Sequence, residues 1–419
     1  MPSTVVQSGT YTLELDTGFQ VDAFVLDDSL KGVLDNTDYV LDGTTQFADI
    51  TQYATNISYK RGRQKIDDQF GSGTMQFVMR DETGILGPYD TSSPYYDPAN
   101  NKPGLAPMRQ VRLKRGTQSL FTGIVATYDY NFEMAGPNLV TVYCADEFYR
   151  IAQTNLDAQS VSAETSGERI GTILALPEVD FSGTTNINIG TVDLGHSSHY
   201  NIPVGTNTLQ YLNQINQAEQ GRIFVANNGT VTFQPRIGNT LSSPGITFKD
   251  DGTAAAYDQL RVAFDGDGVI NRSYIQGLNG NNATDSDATS IATYYIQNMS
   301  ITNSLLHEQA EIDELAAYLL RPDPQPKYTD ISTSFALLTN AERTAAAAAD
   351  IGDTISITKM IPGLGSDLAS ELSIEGIEGS IDFATGHRIT YYTSVTTIVY
   401  NLILDDPVYG QLDGSNVLG

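Results

Sequence analysis

Apolar and polar residues alternate along most of this chain, and a period of two predicts half-buried β-strands. Residues 10–15 and 21–26 open the series. In residues 74–80, Met75, Phe77 and Met79 fall on one face; in 110–114, Val111 and Leu113 point inward, Arg112 and Lys114 outward. Gly116-Thr117-Gln118 turns the chain into 119–125, and another strand follows at 139–144. Such an antiparallel meander is of the kind that closes into a small barrel. Strands resume at 354–358, 372–377, 379–383 and 388–404, which predicts a second β-rich domain.

A period near 3.6 is confined to four segments. Residues 166–176 stop at Pro177, 208–219 stop at Gly221, and 339–348 are capped by Thr339 or Asn340. The fourth, 305–320, places Leu306, Ala310, Ile312, Leu315, Leu319 and Leu320 on one side and ends at Pro322-Asp323-Pro324. After the second helix, Asn227-Asn228-Gly229 between two alternating runs predicts a β-hairpin. Residues 85–107 break the alternation: Pro88, Pro94, Pro98, Pro103 and Pro107, with Gly87 and Gly104, read as a long ordered loop carrying Tyr89, Tyr95 and Tyr96. Loops of that length are functional or packed on a partner. Residues 26–35, beginning Leu26-Asp27-Asp28, share six of ten positions with 404–413, which begin Leu404-Asp405-Asp406 and hold Tyr409. Two copies are too few for a solenoid. They read either as a strand-to-turn signature used twice or as two surface ribbons that dock on neighbouring subunits.

Composition narrows the function. The 419 residues hold 23 Lys plus Arg against 50 Asp plus Glu, a net charge of −27, with only 17% of residues charged. A duplex-binding groove needs clustered bases, and none is supplied. The 40% apolar fraction, with 23 Tyr and 15 Phe, is enough to build cores. The single cysteine, Cys144, excludes an intrachain disulfide and reads as a small buried residue. No window approaches the ~20 apolar residues of a membrane span. Met1 to Val6 lacks a basic segment followed by an apolar run, so folding in a cytoplasm is expected.

Phosphate-loop, nucleophile-elbow and His-Glu-x-x-His motifs are absent. His196 and His199 have a metal-compatible spacing, but no carboxylate pattern completes them and they read as loop residues; His307 and His387 stand alone. Asp265-Gly266-Asp267-Gly268 and Asn279-Gly280-Asn281-Asn282 lack calcium-loop spacing and read as polar turns. Lys60-Arg61-Gly62-Arg63-Gln64-Lys65 is the one basic cluster, and an intersubunit ion-pair site suits it better than a phosphate patch in so acidic a chain.

Several segments, in order, resemble the minor tail proteins of long-tailed, non-contractile (siphovirus-type) bacteriophages, especially those of actinobacterial hosts. They are Ile57-Ser58-Tyr59-Lys60-Arg61-Gly62-Arg63, Gly73-Thr74-Met75-Gln76-Phe77, Tyr96-Asp97-Pro98-Ala99-Asn100, Pro107-Met108-Arg109-Gln110-Val111-Arg112 and Leu120-Phe121-Thr122-Gly123. The helix plus hairpin at 209–236 and the ending at 404–419 complete the set. The resemblance runs from about Ala48 onward. It implies a baseplate-hub-like fold, mainly β with α+β insertions: two small β-barrel tube-type domains joined by mixed α/β domains. The implied layout is an N-terminal arm at 1–47, a first tube domain at 48–155, an α/β insertion at 156–245, a mixed domain at 246–335, a second tube domain at 336–403 and a C-terminal ribbon at 404–419.

The implied role is a structural hub ring at the virion tail tip, assembled in the host cytoplasm. Its partners are copies of itself, as a trimer whose two barrels per chain imitate a sixfold tube, the distal tail protein, the tape measure protein and other minor tail proteins. Genomic DNA passes through without sequence-specific binding. Large subunit interfaces are then expected, with Lys60, Arg61, Arg63, Tyr89, Tyr95, Tyr96, Leu26, Asp27, Asp28, Leu404, Asp405, Asp406 and Tyr409 as candidate contacts, and no catalytic, cofactor-binding or metal-ligating residue. A tail-associated receptor-binding protein or cell-wall hydrolase is the alternative reading.

Overall fold

A computed structural model describes residues 10–19, 24, 26, 32–34, 47–97, 101–134, 136–236, 240–241, 244–361, 368–382, 385–395 and 399–400. Strand alternation sets the faces as expected: Met75, Phe77, Met79, Val111, Leu113, Val140 and Val142 are buried in one apolar core. On the outward face of the same strands the Arg112 guanidinium lies 3.8 Å from the Phe47 ring centroid, and Lys114 pairs with Glu14 at 2.7 Å. Cys144 is buried in that core, and burial pushes its thiol up.

The two β-rich stretches form one sheet. Its path runs Gln259–Ala263, Lys327–Ser334, Gly386–Ser394, Leu368–Asp382, Ala54–Gly62, Thr74–Asp81, Asn138–Ala145, Gln118–Asn131, Gln110–Arg115, Tyr11–Asp16 and Phe47–Asp49. Both halves close over the same core, which extends from Tyr11 to Tyr391. Expected strands at 372–377 and 379–383 are one strand, Leu368–Asp382, with a bulge between Ile374 and Gly376. Its first part pairs with Thr354–Lys359 and its second part with Ala54–Gly62, so its neighbour changes at Glu375.

A second core gathers around helices α1 (Glu147–Ala152), α2 (Ser166–Leu174), α3 (Thr208–Glu219) and α5 (Gln309–Tyr318). The predicted hairpin forms: Arg222–Val225 pairs with Val231–Gln234, and Gly229 takes the left-handed φ of +89° that its turn demands. A capping box of Thr165 and Glu168 starts α2. The same device, from Thr339 and Glu342, starts α6 (Asn340–Ala348). The helix expected at 305–320 begins only at Gln309, because Leu306 is held in extended pairing with Leu194. Ala310 is exposed, so neither it nor Leu306 belongs to the buried helix face, which Ile312 and Leu315 supply. Among the described residues no helix is long and apolar enough to cross a membrane.

The Pro- and Tyr-rich loop packs on its own sheet. Asp81 accepts N–H bonds from Gly84 and Leu86 at 2.8 and 3.0 Å, and Leu86, Tyr95 and Leu105 enter the main core. Of the two stretches expected as polar turns, the first has Asp265 paired with Lys327 at 3.1 Å, and the second is a single 3-10 turn, Leu278–Gly280, leading into the strand Asn282–Ser286; further on, Asp287 caps α4 (Ala288–Tyr294).

Candidate functional site: an ionic seam joining the sheet halves

The sequence cluster at 60–65 sits where the two halves meet. Ala54–Gly62 runs antiparallel to Leu368–Asp382 with Tyr59 opposite Gly379, Arg61 opposite Ile377 and Gly62 opposite Gly376. Close approach needs the glycines. A Cβ on Gly376 would lie 2.3 Å from the Arg63 carbonyl oxygen, and one on Gly379 would strike the Tyr59 ring. Gly62, at φ +77°, lets the strand leave the pairing just there.

Glu375, fully buried, is the hub of the seam. Its Oε2 accepts from Arg63 Nε at 2.9 Å, and its Oε1 accepts from Arg222 Nη2 at 2.9 Å and from Ser394 Oγ at 2.7 Å. Burial alone would raise this carboxyl, but the Arg222 and Arg63 guanidiniums outweigh it and hold it at about 2. Arg63 also packs 4.4 Å from the Phe70 ring centroid. Arg61, itself buried, donates to Asp350 Oδ1 at 2.6 Å, while Asp350 Oδ2 accepts the Asn227 N–H at 2.8 Å. Three distant segments (57–63, 222–227 and 350–376) are thereby tied by charge-assisted hydrogen bonds.

Behind the seam lies a buried polar triad. His387 sits between the hydroxyls of Tyr11, 2.9 Å from Nδ1, and Tyr59, 3.2 Å from Nε2. Burial, with Arg115 nearby, lowers His387 to about 3, so the ring stays neutral.

Arg61 and Arg63 therefore make their ion pairs inside the chain. Lys60 stands over the Tyr392 ring at 5.9 Å, at the rim of an open depression with Gln64, Asp68 and Ser72. Tyr89 is 83% exposed and Leu26 78%. Tyr96 is half-buried and donates to Asn101 Oδ1 at 2.8 Å, whereas Tyr95 is buried against Tyr53. Asp27, Asp28, Leu404, Asp405, Asp406 and Tyr409 lie outside the described residues. Sequence reasoning missed Glu375, Arg222, Asp350 and the His387 triad. It also missed a stacked row of Tyr128, Tyr130 and Phe132, at ring spacings of 6.1 and 6.0 Å, that leads to the fully exposed Met134. His307, isolated in the sequence, joins His196 and His199 in one group whose ligand atoms all lie within 4.8 Å of one another.

This architecture occurs in solved structures. A tail protein from Neisseria meningitidis MC58 superposes with a TM-score of 0.52 at 11% identity, covering 82% of this chain and 92% of that one. The 43 kDa tail protein of prophage MuSo2 from Shewanella oneidensis gives 0.50 at 12% identity, covering 83% and 95%. The chain shares their fold. No protein-family model and no curated protein matches the sequence. At such identities the likeness reaches the architecture and leaves each residue's role to be argued from this chain's own geometry.

Proposed function

We propose that this chain is a structural subunit of a phage-type tail, forming a hub ring at the tail tip through which DNA passes during ejection. The observation that carries the reading is the shared fold with two tail proteins over more than four-fifths of each chain. The continuous sheet suits it: the strands on either side of the Ala54–Gly62 and Leu368–Asp382 pair are joined by a seam of buried ion pairs, and in this reading they serve as two consecutive tube-type segments. A trimer of such chains offers six segments around an axis. The net charge of −27 suits a channel that must release a polyanion instead of holding it. Ring neighbours contact the exposed Tyr89 and Leu26 and the half-buried Lys60 and Tyr96 of the expected interface, and the Phe132–Met134 tip; the distal tail and tape measure proteins cap the ring's faces.

A density map of the whole particle tests this. Three copies around the tail axis, with neutral or acidic side chains lining the pore, are expected. Copies at the tail periphery, a pore ringed by Lys and Arg, or a purified monomer that degrades host cell wall would each overturn the reading.

A further inference from the structure

We propose that His196, His199 and His307 form a binding site for a divalent transition-metal ion. Ring centroids lie 4.3 Å apart for His196–His199, 4.5 Å for His199–His307 and 5.8 Å for His196–His307, so the three imidazoles face a common point. The backbone that carries them is fixed from both sides. Gly195 N–H donates to the Leu305 carbonyl at 2.9 Å, and Leu194 pairs with Leu306, which locks the two histidine-bearing segments together. The Gly195 carbonyl accepts from the buried Arg169 guanidinium at 3.2 Å, and the His307 carbonyl accepts from Asn281 Nδ2 at 2.9 Å. Within the turn, the N–H groups of His199 and Tyr200 both reach the His196 carbonyl, at 2.7 and 3.1 Å.

Two buried polar atoms beside this cluster lack hydrogen-bond partners, and that points to a ligand. His307 Nδ1 is one; Glu311 Oε2 is the other, although Glu311 Oε1 accepts the Asp193 N–H at 2.8 Å. Orphaned buried atoms of this kind are uncommon and call for an occupant. Neutral imidazoles without thiolates select borderline ions such as Zn²⁺, Co²⁺ or Ni²⁺ over Ca²⁺ and Mg²⁺, which prefer oxygen. Zinc–nitrogen bonds of ~2.0–2.1 Å place tetrahedral donors roughly 3.4 Å apart. The present spread of up to 4.8 Å closes to that by ring rotation, without moving the bonded backbone. Ser198 Oγ, 3.0 Å from His196 Nδ1, is placed to fix that ring's tautomer with Nε2 toward the metal. The His196 N–H bond to His199 Nδ1, at 3.2 Å, is given up when His199 coordinates through either nitrogen. With His307 coordinating through Nδ1, Glu308, whose carboxylate lies 3.2 Å from His307 Nε2, holds the far side of that ring as an outer-sphere partner, and a water molecule takes the fourth position. The bound ion clips the turn after Leu194 to the segment that leads into α5.

The test uses the full chain stripped with a chelator and titrated with Co²⁺, followed by optical absorption, and with Zn²⁺, followed by calorimetry. One ion per chain is expected, with the visible bands of four-coordinate Co²⁺ and with Mg²⁺ in excess failing to displace it. His307→Ala and His196→Ala should each weaken Zn²⁺ binding beyond the ~10–100-fold that loss of an outer-sphere partner produces. Far-ultraviolet circular dichroism checks that each variant is folded, and Ser198→Ala, which leaves all three rings, should bind with a smaller loss. Featureless Co²⁺ spectra, Zn²⁺ affinity unchanged in His307→Ala, or several weak ions displaced by Mg²⁺, as an acidic surface would hold, each overturn the proposal.

Discussion

Replacing Glu375 with glutamine isolates the charge at the centre of the seam while keeping its shape. In the native protein this carboxylate, with no exposed surface, faces Arg63 at 2.8 Å and Arg222 at 2.9 Å. At an effective dielectric near 20 and ~4 Å between charge centres, each guanidinium contributes about 4 kcal/mol of attraction, opposed by several kcal/mol for desolvating each ion. Breaking such a group by neutralising one member destabilises by about 3–5 kcal/mol, because the other charges are left buried and uncompensated. A second route agrees. The carboxyl is lowered from 4.5 to about 2, and at ~1.4 kcal/mol per pH unit the interaction is worth about 3 kcal/mol near neutrality. The sign follows from the depressed value: the stabilisation is complete above 4.5 and is lost as pH falls towards 2. Glu375→Gln should therefore be about 3 kcal/mol less stable near neutral pH, and its deficit should shrink as the buffer is taken below pH 4.5. Urea unfolding followed by tyrosine fluorescence and circular dichroism measures both, since the chain has 23 Tyr and no Trp. A deficit under ~1 kcal/mol at neutral pH, or one that stays constant down the acid limb, would refute the electrostatic account of the seam.

His387 shifts in the same direction from a different cause, burial of a ring that would become a cation. Its value falls from 6.5 to about 3, so the unfolded chain takes up a proton that the folded one refuses, and stability drops as pH falls through that window. His387→Gln should flatten this slope relative to the wild type between pH 6.5 and 4.5, a range above the Glu375 transition. Gly376→Ala should destabilise by about 1–3 kcal/mol, because its Cβ would meet the Arg63 backbone oxygen at 2.3 Å and backbone cannot step aside. Gly171→Ala, inside α2 with nothing within 4 Å, should instead stabilise by about 0.5–1 kcal/mol in the same urea unfolding measurements.

Much of the sheet was legible in the sequence because its strands bury one face, so period-two alternation reports orientation directly. The partner of each strand was not, because alternation carries no information about which edge lies alongside. Tyr11 and His387, 376 positions apart, touch only through that unreadable pairing. Arg61 left a signal that charge counting hid: it falls in phase with Ile57 and Tyr59, and all three are buried on one face. A base in register with core residues predicts an internal acid more directly than a neighbouring subunit. Glu375, inside the fully buried run from Leu372 to Ile377, left no alternation to read. The early start expected for α5 failed for a related reason: the apolar spacing suits a helix, but Leu306 gains more from extended pairing with Leu194 than a helical turn offers it. The histidine cluster is a tertiary product altogether.

The chemistry of the seam bears on what the sheet must do. Two β-halves joined by an apolar edge could slide, and a slip of one residue reverses every side chain; Ile57, Tyr59 and Ile381 would leave the core. Apolar contacts penalise such a slip only by area. A buried Glu375 held by Arg63, Arg222 and Ser394 penalises it far more, because any displacement leaves an unpaired charge in the interior. Gly62 and Gly376 sharpen the constraint, since their close backbone approach is available in one register. Arg222 adds the hairpin beneath, so the same carboxylate fixes three segments at once. The ion pairs thus specify geometry as well as adding stability, because a single register of Ala54–Gly62 on Leu368–Asp382 satisfies both the carboxylate and the glycines.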